Sequence, residues 1–286
     1  MKLGVVFPQN EIGDDPILIR DFAQTAEELG YADLLIYDHV LGAHPERENP
    51  LEGPYTHEHP FHEPFVLFGY LAGQTERIEL VTGILILPQR QAALVAKQAA
   101  EVDLLSGGRL RLGVGTGWNT VEYESLNEQW KTRARRMEEQ IDLMRKLWTE
   151  PVIDYTGDFH RVDKAGILPL PGRNIPIWFG GFSPPAWDRA ARMGDGLILG
   201  WGVKAAKPAV DFTREKLAAY GREGADFGYE MQVLYKRGEE YWAREIEAWR
   251  EAGGTHATVL TMQSDLEKPG DHIAAIRRFK EVVDAG

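Results

Sequence analysis

Short apolar runs alternate with amphipathic stretches eight times along this chain, and that repeat narrows the available folds more than any other feature. The runs are residues 3–7, 33–37, 78–85, 109–114, 175–179, 196–200, 229–235 and 256–261. They are rich in Val, Ile and Leu, as strands buried on both faces must be. Between them, residues 16–29, 63–75, 91–105, 132–148, 184–193, 204–221 and 239–252 carry apolar side chains at helical spacing, and 269–284 closes the chain in the same way. Gly30, Gly107, Gly194 and Gly253 each stand just past a helical stretch, where a left-handed cap is expected. Eight strands, each followed by a helix, predict an α/β fold of the (β/α)8 barrel type. A doubly wound sheet uses the same unit. The strand count and the absence of a Pro/Gly/Ser-rich linker favour the barrel, as one domain over residues 1–286. Two connections are long: an insertion after strand 2, residues 40–62, and another before strand 5, residues 151–174. The first follows a strand end and is expected to wall the active site. The second contains a hairpin signal around Tyr155-Thr156-Gly157-Asp158.

The stretch 77–122 shows the repeat most clearly. A β-branched run passes through Gly83 and leads to a helix over 91–105. Ser106-Gly107-Gly108 stops that helix, and a second strand ends in Gly115-Thr116-Gly117. Parallel strands joined through a helix place Gly83 and the Gly115–Gly117 turn at the same, functional end of the sheet. Gly113-Val-Gly115-Thr-Gly117 lacks the third glycine of a dinucleotide fingerprint, and no helix is expected directly after it. No GxxxxGK[ST] loop is present.

The segment IPIWFGGFSPPAWDRAARMGDG reads as an anion site. A strand runs into Gly180-Gly181, Ser183 stands at an N-cap position, and Pro184 and Pro185 fill the first turn. Free N–H groups and the helix dipole there favour a phosphate or carboxylate, and two glycines let it approach the backbone. A plain helix start would explain Ser-Pro-Pro but not the glycine pair.

Asp38-His39 ends the second strand, where a polar pair of a barrel faces the pocket mouth. Asp38 can accept a hydrogen bond from a bound cofactor, and His39 can act as acid or base near neutral pH. An Asx turn followed by a solvated histidine is the alternative. The run HEHPFHE, residues 57–63, is dense in imidazole and carboxylate. Its spacing matches no metal motif and Pro60 keeps its first two histidines off a helix, so no metal is expected. Arg133, Arg135 and Arg136 read as a solvated helix face. Of the tryptophans, Trp118 and Trp201 lie just past strand ends and are expected in the pocket wall.

The net charge of −12 argues against a nucleic-acid partner, while leaving room for a local basic pocket around an anionic cofactor. No cysteine is present, which removes disulfides, thiol nucleophiles and cysteine metal sites. The opening MKLGVVFPQN reads as a strand rather than a signal peptide, and no apolar run approaches the roughly 20 residues of a membrane span. A cytoplasmic protein with a small-molecule substrate is expected.

Four segments in order, ELGYADLLIYDHV, RIELVTGILILPQR, AKQAAEVDLLSGGRLRLGVGTGWNTVEY and PIWFGGFSPPAWDRAARMGDG, give the chain its resemblance to the luciferase-like flavin and deazaflavin oxidoreductases, and within them to the coenzyme F420 group. The resemblance implies a barrel that holds a tricyclic cofactor at its C-terminal mouth. Coenzyme F420 is the cofactor it favours; FMN, in a monooxygenase of luciferase or alkanesulfonate type, is the alternative, and a non-catalytic cofactor-binding barrel is a third. It implies a non-prolyl cis bond at Gly83–Ile84 behind the ring and Asp38 hydrogen-bonded to the cofactor. It places His39 near the hydride-transfer face, Thr116 and Gly117 along the cofactor side chain, and Gly180, Gly181 and Ser183 on its phosphate. His39 is the first choice for proton transfer and Glu122 the second. Family members are often dimers. The sugar-phosphate dehydrogenases of the family carry an acidic residue after the Gly-Thr-Gly turn, and this chain has Trp118. They also place a tryptophan soon after the Asp-His pair, where this chain reads Val40-Leu41-Gly42-Ala43. Glucose-6-phosphate is therefore not the expected substrate, and an apolar or aromatic one suits Trp118 and Trp201 better.

Overall fold

A computed structural model describes residues 1–285, except the side chains of Trp201 and Ala285. Its strands are β1 (Lys2–Val6), β2 (Asp33–Ile36), β3 (Glu79–Thr82), β4 (Leu85–Ile86), β5 (Leu110–Gly115), β6 (Ile153–Thr156), β7 (Arg161–Ala165), β8 (Ile177–Gly180), β9 (Gly196–Trp201), β10 (Gly228–Leu234) and β11 (His256–Leu260). Its helices are α1 (Pro16–Glu28), α2 (Pro64–Ala72), α3 (Ala92–Leu105), α4 (Thr120–Ser125), α5 (Arg133–Thr149), α6 (Pro184–Met193), α7 (Val203–Ala219), α8 (Glu239–Ala252) and α9 (Asp271–Ala285).

The parallel order β3-β2-β1-β11-β10-β9-β8-β5 closes on itself, because β5 also pairs with β3 through Leu80 and Leu110. The eight-stranded barrel expected from the repeat is the fold. One expected strand, 78–85, is split. A cis peptide between Gly83 and Ile84 turns the chain, and β4 resumes against β5 with Leu85 opposite Val114. Strand alternation builds two apolar layers. Val6, Leu35, Val81, Ile198 and Leu260 fill the barrel, while Leu34, Ile36, Leu80 and Leu112 face the helices.

The two long connections behave differently. Residues 40–62 form no regular element, whereas β6 and β7 pair antiparallel as the hairpin read from Tyr155–Asp158. Helix α4 was not expected. Asn119 starts it by accepting from the N–H groups of Val121 and Glu122. Gly30, Gly107 and Gly253 have positive φ, as caps require. Gly194 does not; its φ is −100°, and glycine is needed there because a Cβ would lie 2.8 Å from the Phe179 ring.

The N-terminal end of the barrel is closed by charge. Arg111, 2% exposed, pairs with Glu230 at 2.6 Å and Glu79 at 2.8 Å, with Asp33 at 3.5 Å. Its guanidinium lies 4.1 Å from the ring centre of Trp178, which sits against Gly196 and Gly228. Trp178 therefore belongs to the floor of the barrel rather than to the site at its other end.

Candidate active site at the C-terminal mouth

The strand ends open onto a cavity of about 640 Å³. Every chain segment expected at the site reaches it: Asp38 and His39 after β2, Gly83 and Ile84 at the β3–β4 bend, Thr116, Gly117 and Trp118 after β5, and Gly180, Gly181 and Ser183 after β8. Glu122 is not in its wall, and the side chain of Trp201 lies outside the described residues.

His39 is held from behind. Its Nδ1 lies 3.1 Å from Oε1 of Glu122, which is 1% exposed. The same oxygen accepts from the N–H groups of Val40 at 2.9 Å and Leu41 at 3.2 Å. A carboxylate acceptor keeps the proton on Nδ1 and leaves Nε2 as the working nitrogen. Glu122 thus meets the cavity only through its contact with His39. Aromatic rings surround the imidazole: Phe61 at 4.6 Å, Tyr55 at 5.4 Å and Trp118 at 5.6 Å between centroids. Trp118 packs so tightly on Gly53 that a Cβ there would fall 1.9 Å from its ring. Burial, with Glu11 adding to it, pushes the Tyr55 phenol up to about 12, so it is a hydrogen-bond donor throughout the physiological range.

Asp38 is committed within the protein. One oxygen accepts from Ile86 N–H at 2.9 Å and the other from Arg90 at 2.6 Å. Arg90 also bonds Glu63 at 2.8 Å, tying α2 to the β4 bend. Burial raises the Asp38 carboxyl above its ordinary range against the pull of Arg90. Asp38 therefore fixes the bend that carries Ile84. Ile84 in turn lies on two glycines: a Cβ at Gly115 would sit 2.1 Å from its Cδ1, and one at Gly180 would sit 2.6 Å from its Cγ2. The floor of the cavity is the Ile84 side chain laid across bare backbone.

Near Gly181–Ser183 the cavity wall presents open backbone donors, though not the ones the sequence suggests. The first-turn donors of α6 are spent: Pro184 and Pro185 have none, and Ala186 and Trp187 both donate to Ser183 O. The open donors are the N–H groups of Gly181, Phe182 and Ser183, which have no acceptor among the described residues. The Ser183 side chain makes no capping bond. A Cβ on Gly181 would lie 2.6 Å from that of Ala186, so the turn needs glycine there. Two arginines also line the cavity, Arg133 and Arg189. Arg189 bonds Glu138 at 2.7 Å. A phosphate fits this turn by its donors and by its charge.

The expected solvated arginine face holds for Arg135 alone. Arg136 is 5% exposed and donates to Pro88 O, and Arg133 lines the cavity. Helical spacing placed these residues on one stripe but could not show that this stripe borders the barrel mouth. Tyr55 was missed because it comes from an irregular loop, and Arg90 because its role depends on a contact across strands. Among the described residues no group of three or more His, Cys, Asp or Glu is placed to hold a metal, and no helix is long and apolar enough to cross a membrane.

A family profile described as luciferase-like monooxygenase matches residues 1–283. The curated relatives matched first, among them a protein of Mycobacterium tuberculosis, are 37% identical over 188 residues; the match covers 63% of this chain, which spans less than two thirds (64%) of their length. An F420-dependent glucose-6-phosphate dehydrogenase of Amycolatopsis mediterranei is 27% identical across 100% of this chain and 90% of its own. An FMNH2-dependent dimethylsulfone monooxygenase of Pseudomonas fluorescens is 35% identical over 63% of this chain and 50% of its own. Among solved structures, the monooxygenase RslO1 of Streptomyces bottropensis superposes with a TM-score of 0.82 at 19% identity, covering 100% of this chain and 99% of that one, which establishes the shared fold. With a barrel whose mouth carries a turn of open backbone donors and a histidine held by a buried carboxylate, and a profile matched over residues 1–283, this chain belongs to the luciferase-like monooxygenase family.

Proposed function

We propose that the cavity binds a deazaflavin of the F420 type and that the enzyme exchanges a hydride between it and a small, apolar organic substrate. The observation that carries this reading is the pairing of His39 with buried Glu122 among the rings of Tyr55, Phe61 and Trp118. Such a pair is suited to accepting one proton from a substrate hydroxyl, or returning it, at Nε2. The end-to-end likeness to an F420-dependent dehydrogenase supports the choice of cofactor.

When bound, the deazaflavin supplies the hydride acceptor or donor. The chain supplies the rest. Gly181, Phe182 and Ser183 offer backbone donors to its phosphate, and Thr116 and Gly117 border its side chain. Ile84, held by the Asp38–Ile86 bond, backs the ring. Trp118, Tyr55, Leu260 and Met262 exclude water and shape the substrate side. Oxidation removes a hydride and a proton together, and His39 takes the proton. Trp118 after the Gly-Thr-Gly turn argues against glucose-6-phosphate as substrate. In this reading the chain works as one barrel domain on a small molecule in the cytoplasm, and a homodimer is the expected assembly.

The second reading is an FMN-dependent monooxygenase, favoured by the likeness to the dimethylsulfone enzyme. Titrating the protein with F420 and with FMN, followed by fluorescence, separates the two. Micromolar binding of F420 is expected; FMN binding with none of F420 would overturn the first reading.

A further inference from the structure

Among the described residues, Arg133 is a preorganised cation without an anionic partner. It lines the same cavity as the Gly181–Ser183 turn, from the helix whose Glu138 bonds Arg189 of α6. Its guanidinium lies 3.7 Å from the ring centre of Trp130 and donates to Trp130 O at 2.9 Å. Trp130 packs edge-on against Tyr123 at 5.0 Å, and Tyr123 donates to Thr116 O at 2.8 Å. A continuous chain of contacts thus runs from the cavity wall at Thr116 to this arginine. No carboxylate lies within 4.0 Å of Arg133 among the described residues, and its Nε has no acceptor although it is shielded from solvent. Arg189, which lines the same cavity, is already satisfied by Glu138. In a chain of net charge −12, an arginine held rigid but unpaired beside a cavity is arranged for an anion that arrives with a ligand.

The backbone donors of the turn provide for one phosphate. We infer that Arg133 binds a second anionic group beyond that phosphate and so selects a cofactor that continues past it. This rests on the F420 reading above. F420 carries its phosphate as a diester extended by a lactyl-glutamate tail with free carboxylates, whereas FMN ends at the phosphate. Arg133 is then a cofactor-specificity residue that discriminates by tail charge rather than by ring.

Fluorescence titration of the full chain tests this, using F420, FMN and the deazaflavin FO, which has the ring and ribityl chain alone. In Arg133→Gln, affinity for F420 is expected to fall about 10- to 100-fold, the usual range for losing a charged hydrogen bond. Affinities for FMN and FO should stay within about twofold, and Arg133→Lys should recover most of the F420 loss. An unchanged circular dichroism spectrum excludes misfolding as the cause. Equal losses for F420 and FMN would overturn the inference by assigning Arg133 to the shared phosphate. So would a loss for FO, which points to packing, or unchanged F420 affinity. A wild-type protein that binds FMN and not F420 would instead defeat the functional reading itself.

Discussion

A single oxygen of Glu122 holds both the imidazole of His39 and the two backbone N–H groups that follow it, at 3.1, 2.9 and 3.2 Å. Helix α4 and the segment that follows β2 are locked together at this imidazole of the cavity wall. Glu122→Gln leaves a carbonyl oxygen for Val40 and Leu41 but removes the carboxylate that fixes the orientation and tautomer of His39. Turnover should fall on the order of 10²-fold with cofactor affinity unchanged. Comparing kcat with the cofactor Kd checks this; parallel losses in both would mean that Glu122 only holds the loop.

Ser183 offers a substitution whose structural and functional effects have opposite signs. Its side chain makes no capping bond, although it occupies the N-cap of α6. Aspartate is as good a cap as serine and favours the positive end of the dipole, so Ser183→Asp should leave thermal stability equal or higher. The new carboxylate would face the anion turn, where like charges about 4 Å apart repel by roughly 4 kcal/mol at an effective dielectric near 20. Cofactor affinity should fall about 100-fold or more. A stable variant with undiminished affinity would remove the phosphate from this turn.

Ile84 distinguishes two glycines that look alike in sequence. At Gly115 an added Cβ meets Cδ1, the free end of the side chain, while at Gly180 it meets Cγ2, anchored on Cβ. Gly180→Ala should therefore be the more damaging change. We expect about 1–3 kcal/mol of lost stability, the range for overpacking, together with weaker cofactor binding. Gly115→Ala should cost less of both. Urea unfolding and fluorescence titration of the two variants give the ranking, and the reverse order would show that Ile84 is not the obstacle.

The barrel was legible in the sequence because strand and helix periods repeat eight times, and each period directly reflects which face is buried. The segments that line the cavity were legible too, since glycines and polar pairs at strand ends have few structural uses. Their partners were not. Asp38 pairs with Arg90, His39 with Glu122, and Trp118 with Gly53, and each pairing depends on loop or cross-strand geometry that no local pattern encodes. The arginines of α5 show the same limit. Helical spacing puts 133 and 136 near one another, yet one reaches the cavity and the other is buried against Pro88.

The floor of the barrel should set its acid stability. His256 stands 8% exposed beside Trp178, at 5.0 Å between rings. Burial, then the nearby Arg111 charge, lowers its pKa from 6.5 to about 4. The folded protein thus keeps this imidazole neutral at pH values where the unfolded chain protonates it. Stability from this site is complete above 6.5 and is lost as the pH falls toward 4, because the unfolded state then binds the extra proton. Between pH 7 and 5 the loss is about 2 kcal/mol, at roughly 1.4 kcal/mol per unit. Urea unfolding at both pH values should show this decrement in the wild type and not in His256→Gln. An equal decrement in the two proteins would place the acid sensitivity elsewhere.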